Sequence, residues 1–129
     1  MSMLKYALNL DQKKSAKAYG RSLNISTKSS VLMCRKVSGM NVQKAKQLLE
    51  DMTEGRRDMD GKYYSNVSNE MLRLLKAAEA NAEFKGLDTN RLIVFASAHK
   101  GFTFFRPRRT KLKRTQRKIT NLQIVLQQK

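Results

Sequence analysis

The chain is poor in the residues that staple, chelate or catalyse. Among 129 residues it has one cysteine, Cys34, one histidine, His99, and one proline, Pro107. A single cysteine excludes an intramolecular disulfide, and one cysteine with one histidine cannot make a Cys- or His-rich zinc site. Long apolar runs are missing too. The longest early one, Tyr6–Leu10, is broken by Asn9, so nothing at the start reads as a signal peptide. No segment approaches the ~20 apolar residues that span a bilayer. A soluble, intracellular protein with no membrane contact is expected.

Signatures of catalysis are equally scarce. No Gly-rich loop ends in Lys-Ser/Thr to cradle a phosphate, and no paired histidines offer a zinc site. One histidine beside a basic segment does not assemble a Ser-His-acid set. Most acids (Glu50, Asp51, Glu54, Asp58, Asp60, Glu70, Glu79, Glu83) fall on helix surfaces or a loop, where solvation or ion pairing accounts for them. No catalytic residue, metal, cofactor or small-molecule substrate is expected, and an RNA-processing enzyme has no candidate site.

Negative charge is in short supply. Against 10 Asp and Glu stand 27 Lys and Arg, a formal net of +17. Residues 1–88 hold 16 basic and all 10 acidic side chains, a net of +6, whereas the 11 basic residues after Asp88 meet no acid. Such self-repulsion favours a polyanionic partner, nucleic acid first and an anionic membrane surface second. A solvated face mixes signs, so the asymmetry argues for a binding surface.

Between Lys100 and Lys118, nine of 19 residues are basic: Lys100, Arg106, Arg108, Arg109, Lys111, Lys113, Arg114, Arg117 and Lys118. Each can neutralise a phosphate and release counterions, and the arginines add planar stacking and forked hydrogen bonds. Pro107 stiffens the chain where the Arg-rich run begins. Thr103, Thr110, Thr115 and Thr120 offer hydroxyls to phosphate or ribose. Further basic candidates for nucleic-acid contact are Lys13, Lys14, Lys17, Arg21 and Lys28.

A chain of this length and 40% hydrophobic content has room for one compact domain, expected over 1–129. Tyr6, Leu8 and Leu10 alternate with Lys5, Ala7 and Asn9, as in a short half-buried strand. Residues 11–24 are basic and polar, interrupted by Gly20, and read as an extended or irregular segment on a partner, or a short helix.

Ser26 can cap a helix from Thr27 to about Ser38, stopped by Gly39. Val31, Cys34 and Val37 then share a face, which makes Cys34 a small core residue rather than a nucleophile. Asn41 can cap a second helix carrying Val42, Ala45, Leu49 and Met52 on one face. Residues 55–67 read as a loop, followed by a third helix from about Ser68 to Lys85. Its stripe is Met71, Leu74, Leu75, Ala78 and Ala82, and Gly86 with Leu87 suits a Schellman ending.

The period then changes to two. Leu92–Ala98 reads as a strand, and Leu122, Ile124 and Leu126 alternate with Gln123, Val125 and Gln127 in another. The 23 residues between them exceed a tight hairpin turn. They form either a two-stranded arm or a disordered basic loop, and Phe102, Phe104, Phe105, Ile119, Thr103 and Thr120 favour the arm. An isolated ribbon of this kind is marginal in water. The three phenylalanines are read as covering the arm's base, in preference to base stacking, and His99 as a strand-end contact.

Several stretches resemble the universal large-subunit ribosomal protein L-twenty-two family. They are Tyr6-Ala-Leu8, Lys17-Ala-Tyr-Gly-Arg21, Leu23-Asn-Ile-Ser26, Gly39-Met-Asn-Val-Gln-Lys-Ala-Lys46 and Ala96-Ser-Ala-His-Lys-Gly101. Ala77-Ala-Glu-Ala-Asn-Ala-Glu-Phe-Lys-Gly-Leu-Asp88 is the most specific and is similar to the archaeal and eukaryotic branch. Arg106-Pro-Arg108 resembles the start of the arm in bacterial members.

The resemblance implies an α+β fold of three helices packed on a small antiparallel three-stranded sheet, with a long protruding β-hairpin at 99–118. It implies a structural constituent of the large ribosomal subunit that binds large-subunit rRNA and aids subunit assembly. Its partners would be that rRNA, neighbouring large-subunit proteins and the nascent polypeptide passing the hairpin. The tip, Arg109, Thr110, Lys111, Leu112, Lys113 and Arg114, would line the exit tunnel. Two departures stand out. The 55–67 stretch is shorter and more mixed in charge than in most relatives of that branch, and Lys111-Leu-Lys-Arg114 replaces a Gly-Arg-Ala-like turn.

Overall fold

The computed structural model describes residues 6–8, 10–59, 61–103, 105–109, 111 and 113–128. The elements run β1 (Ser15–Leu23), α1 (Thr27–Val37), α2 (Val42–Thr53), α3 (Ser65–Phe84), a short 3₁₀ turn (Thr89–Arg91), β2 (Leu92–Lys100) and β3 (Thr120–Gln128). The strands make one antiparallel sheet in the order β1-β3-β2, so the last strand in sequence is the central one. With the helices on it, this is the expected α+β architecture.

Register puts one face of the sheet into the core. Ala16, Leu126 and Val94 stand in one row across the strands, Ala18, Ile124 and Ala96 in the next, and Gly20, Leu122 and Ala98 in the third. The β1 contributions are all small, which lets α3 lie close over that strand. A Cβ added to Gly20 would sit 2.7 Å from Leu74 Cδ1 and 2.8 Å from Leu23 Cδ1. The absence of a side chain there is therefore a packing requirement. Above the sheet, Met33 and Val37 of α1, Leu49 and Met52 of α2, and Met71, Leu75, Ala78 and Ala82 of α3 join the same core.

Helix ends follow local chemistry. Ser26 accepts from the Ser29 N–H at the start of α1, and Asn41 from the Gln43 N–H at the start of α2. At the end of α3 the Leu87 N–H reaches the Ala82 carbonyl at 3.0 Å and the Gly86 N–H the Glu83 carbonyl at 2.9 Å. With Gly86 at φ +78°, this is a Schellman ending. Helix α3 begins at Ser65, three residues before the expected Ser68. Ser65 and Asn66 are exposed and polar, so they carry a loop's composition, while Val67 and Ser68 already face the core.

One expectation fails at the N-terminal end. The sheet's third strand is Ser15–Leu23, not Tyr6–Leu10; of the latter, Tyr6–Leu8 and Leu10 are outside any strand, and Asn9 is outside the described residues. The reason is a lack of free strand edges. The outer edge of β2 is occupied by the α1–α2 connection: Gly39 N–H donates to the Val94 carbonyl at 2.8 Å and Val94 N–H to the Met40 carbonyl at 2.9 Å. Ser38 Oγ serves both the N–H and the carbonyl of Ala96, each at 3.1 Å. The outer edge of β1 is met by Asn81 Nδ2 on the Lys17 carbonyl at 2.9 Å and by Lys85 Nζ on the Ser15 carbonyl at 3.0 Å.

Instead, Tyr6–Leu8 crosses the back of the sheet. The Ala7 N–H donates to the buried Gln123 Oε1 at 2.9 Å, and the Tyr6 ring meets Tyr19 edge-on at 6.0 Å. Residues 11–24, expected to be extended or irregular or a short helix, are extended from Ser15 to Leu23, but as a paired strand of the sheet. The alternating Ala16, Ala18 and Gly20 are core positions of that strand, whose other face carries Lys17 and Tyr19.

Cys34 is buried in α1, and burial pushes its thiol pKa up to about 12, so it stays neutral and packs as a small apolar group. Gly20→Val is expected to lower stability by about 1–3 kcal/mol through overpacking against Leu74. Urea unfolding measures this; an unchanged midpoint would show that α3 can move away from β1 without loss.

Candidate nucleic-acid interface

The arm is an outgrowth of β2 and β3. Their ladder ends at the pair Lys100 and Thr120, followed by a Gly101 N–H bond to the Ile119 carbonyl at 3.0 Å. A Cβ on Gly101 would lie 2.8 Å from Ile119 Cγ2, so the two strands approach closely at this gate. Farther out, Phe105 bridges to Gln116, and the Arg106 N–H donates to the Thr115 carbonyl at 2.9 Å. Arg106 Nη1 also reaches Thr115 Oγ1 at 3.1 Å. Arg108, Arg109, Lys111, Lys113 and Arg114 lie in turns at the tip, with Arg114 left-handed at φ +58°. The sequence therefore does continue outward as two chain segments tied across.

Buried polar contacts hold the base. Thr120, fully buried, donates its hydroxyl to the Ile25 carbonyl at 2.8 Å. The Thr27 hydroxyl then donates to Thr120 Oγ1, also at 2.8 Å. Beside it β1 carries a one-residue bulge between Gly20 and Leu23, with Ser22 left-handed at φ +56°. The Ser22 N–H donates to Asn121 Oδ1 at 2.8 Å, leaving the Asn121 amide nitrogen to face His99 Nε2 at 3.1 Å. His99 is thus a strand-end contact, and Arg21 is thrown outward by the bulge.

The candidate basic residues divide into two groups. Because β1 is antiparallel to β3, Arg21 lies at the arm's base, whereas Lys17 pairs with Val125 and Lys14 meets the chain's far end through the Gln128 N–H. From Lys14 to Arg21 is about 23 Å at ~3.3 Å per strand residue. Lys13 and Lys14 are exposed; Lys17 lies over the Tyr6 ring, 5.0 Å from its centre. Near the base, Lys28 lies exposed in the first turn of α1. On the arm, Lys100, Arg108, Arg109, Lys111, Lys113, Arg114, Arg117 and Lys118 are exposed and Arg106 is half-buried. Thr110 and Leu112 lie outside the described residues.

Arg106 and Lys118 also border a polar cleft of about 380 Å³ between the arm's base and the starts of α1 and α3. Asn24, Ser26, Ser29, Tyr64, Ser65, Asn66 and Gln116 complete most of its wall, and no acid lines it. Helix α3 starts from a left-handed Tyr64 with no side-chain cap, so its first N–H groups keep their positive end of the helix dipole. This cleft was not legible in the sequence, since Ser65–Val67 read as loop. By contrast, the ion pairs Lys46–Glu79 (2.8 Å), Arg73–Glu70 (2.8 Å), and Arg56 with Asp51 and Glu54 belong to α2, α3 and the turn after α2.

The phenylalanines overturn an expectation. Phe102 is 82% exposed and Phe105 64%, so neither covers the arm's base; Phe104 lies outside the described residues. The alternation that suggested packing is interrupted, and the base is closed instead by Ile119 and Thr120. Phe84, at the end of α3, is 93% exposed, an exposure that the helix pattern did not single out.

Among the described residues no helix is long and apolar enough to cross a membrane, and no group of three or more His, Cys, Asp or Glu could hold a metal ion. The class these features define is a basic α+β protein with an extended hairpin, organised around a charged surface rather than a reaction pocket. The model of the family described as ribosomal protein L22p/L17e matches residues 18–127, and the chain belongs to that family. It is a structural protein, not an enzyme.

Similar proteins include the large ribosomal subunit protein uL22 of Methanococcoides burtonii, 37% identical over 115 residues with 76% of each chain covered. That of Methanococcus aeolicus is 36% identical over 126 residues, with 82% of each covered. That of Methanocaldococcus jannaschii is 32% identical over 126 residues, covering 82% of this chain and 81% of its own.

Since Thr120 and Gly101 close the sheet before the arm begins, the core is expected to stand without it. Replacing residues 102–118 by an Asn-Gly turn should leave a cooperative thermal transition. A broad, non-cooperative melt would show that the arm supports the core.

Proposed function

We propose that this protein is a structural constituent of the large ribosomal subunit, in the cytoplasm, that binds large-subunit rRNA and aids subunit assembly. The observation that carries the reading is the acid-free arm. It bears nine basic residues between Lys100 and Lys118 and is tied at its base to a buried threonine. Charges gathered on a ribbon repel one another, and rRNA phosphates would offset that repulsion while releasing counterions. The names of the relatives support the same subunit.

In this reading the chain is one domain over 1–129, with 99–118 as its rRNA-binding extension. Lys100, Arg106, Arg108, Arg109, Lys111, Lys113, Arg114, Arg117 and Lys118 bind along the arm, with Arg21 and Lys28 at its base. Lys13, Lys14 and Lys17 form a second contact at the opposite end of the sheet. The tip, 109–114, reaches the path of the nascent polypeptide, and neighbouring large-subunit proteins meet the remaining surface.

Sedimentation through a sucrose gradient in high salt tests the placement. The protein should travel with large subunits; finding it only in the free pool, bound equally to duplex DNA, would make it a free nucleic-acid regulator. Changing Arg108, Arg109 and Arg114 to Ala should flatten the plot of log affinity against log salt by ~0.7–0.9 for each phosphate no longer neutralised. An unchanged slope would place those side chains away from phosphate.

A further inference from the structure

Resting on the rRNA-binding reading, we infer that Phe102 and Phe105 are stacking platforms for unpaired nucleobases, so that the arm distinguishes single-stranded from duplex RNA. Two large rings, 82% and 64% exposed, stand on a surface segment that projects away from the core. They are set among cations: Lys100 and Arg106 flank them in sequence, and no acid follows Asp88. The partner they suit must offer flat apolar faces and negative charge together. An unpaired nucleotide has both; a paired duplex hides its base faces and presents mainly phosphate and ribose.

Local geometry supports the assignment. Gly101 faces Ile119 and Phe105 faces Gln116, four residues along one segment against three along the other. Between these two cross-ties the segment bearing the phenylalanines holds one residue more than its partner, so a strict two-sided alternation cannot stay in step across that stretch. The cross-tie of Arg106 to Thr115, one residue beyond Phe105 in sequence, holds that guanidinium on the arm, where it can meet the phosphate of a strand whose base is stacked.

The test uses the full chain and a 12-nucleotide unstructured RNA, compared with an RNA duplex of the same length. The double variant Phe102→Ala/Phe105→Ala should bind the single strand about 25-fold or more weakly, with duplex affinity and salt slope unchanged. Phe102→Tyr/Phe105→Tyr should stay close to the parent. The chain has no tryptophan, so Phe102→Trp adds a single indole that can be excited apart from the tyrosines, and the single strand should quench it while the duplex should not. Full affinity in Phe102→Leu/Phe105→Leu would overturn stacking in favour of plain apolar cover by a neighbouring protein. Equal losses for strand and duplex would overturn it as well. If the parent binds neither RNA, the rRNA-binding reading falls and takes this one with it; if it binds both and the alanine variant matches it, only the stacking inference fails.

Discussion

The central placement of β3 is the constraint on which the rest of the structure depends. It is the last strand in the chain, yet it pairs on both sides, with β1 along one edge and β2 along the other. Leu122, Ile124 and Leu126 fill the core from it, while Gln123 and Val125 are buried on the opposite face. A strand held this way cannot slide, because a one-residue slip would turn its buried leucines out and its glutamine in. The arm is the continuation of that strand and of β2, so its direction is inherited from the sheet, and the hydroxyl pair of Thr120 and Thr27 fixes the point of departure.

Charge is organised by the same frame. The acids lie at or before Asp88 and are used, in part, to join helices, as in the Lys46–Glu79 pair between α2 and α3. Nine of the eleven cations after Asp88 lie along the arm, away from the core. A second basic group at Lys13, Lys14 and Lys17 sits at the other end of the sheet, because β1 runs antiparallel to β3. A rigid body with cations at both ends can hold two separated stretches of polyanion at a set spacing, which a flexible basic tail could not do.

Much of this was legible in advance. The second helix, the body of the third with its Schellman ending, and both strands flanking the arm announce themselves through caps and periods that depend only on neighbouring residues. The continuation of the arm as paired segments was favoured over a disordered loop by an alternation that the fold interrupts, so it was legible only in part. β1 was not legible, because its core residues are Ala16, Ala18 and Gly20. They are too small to register as an apolar alternation, and they are small because α3 packs against them. Tyr6–Leu10 misled in the opposite way. Its alternation fits a strand, but hydrogen-bonding groups on both outer edges of the sheet were already taken by Ser38–Met40, Asn81 and Lys85.

What the sequence determined by itself was local or summed: helix limits set by capping, Cys34 as a core residue, a basic arm with no compensating acid, and a net charge of the kind a polyanion would offset. Only the tertiary structure decided which strand is central, that the basic residues part into two groups, that a polar cleft opens at the arm's base, and that Phe102 and Phe105 stand in solvent. The physical reason is that each of these depends on which surfaces meet. Burial, strand edges and close approach are properties of pairs of segments distant in the chain, and no single segment carries them.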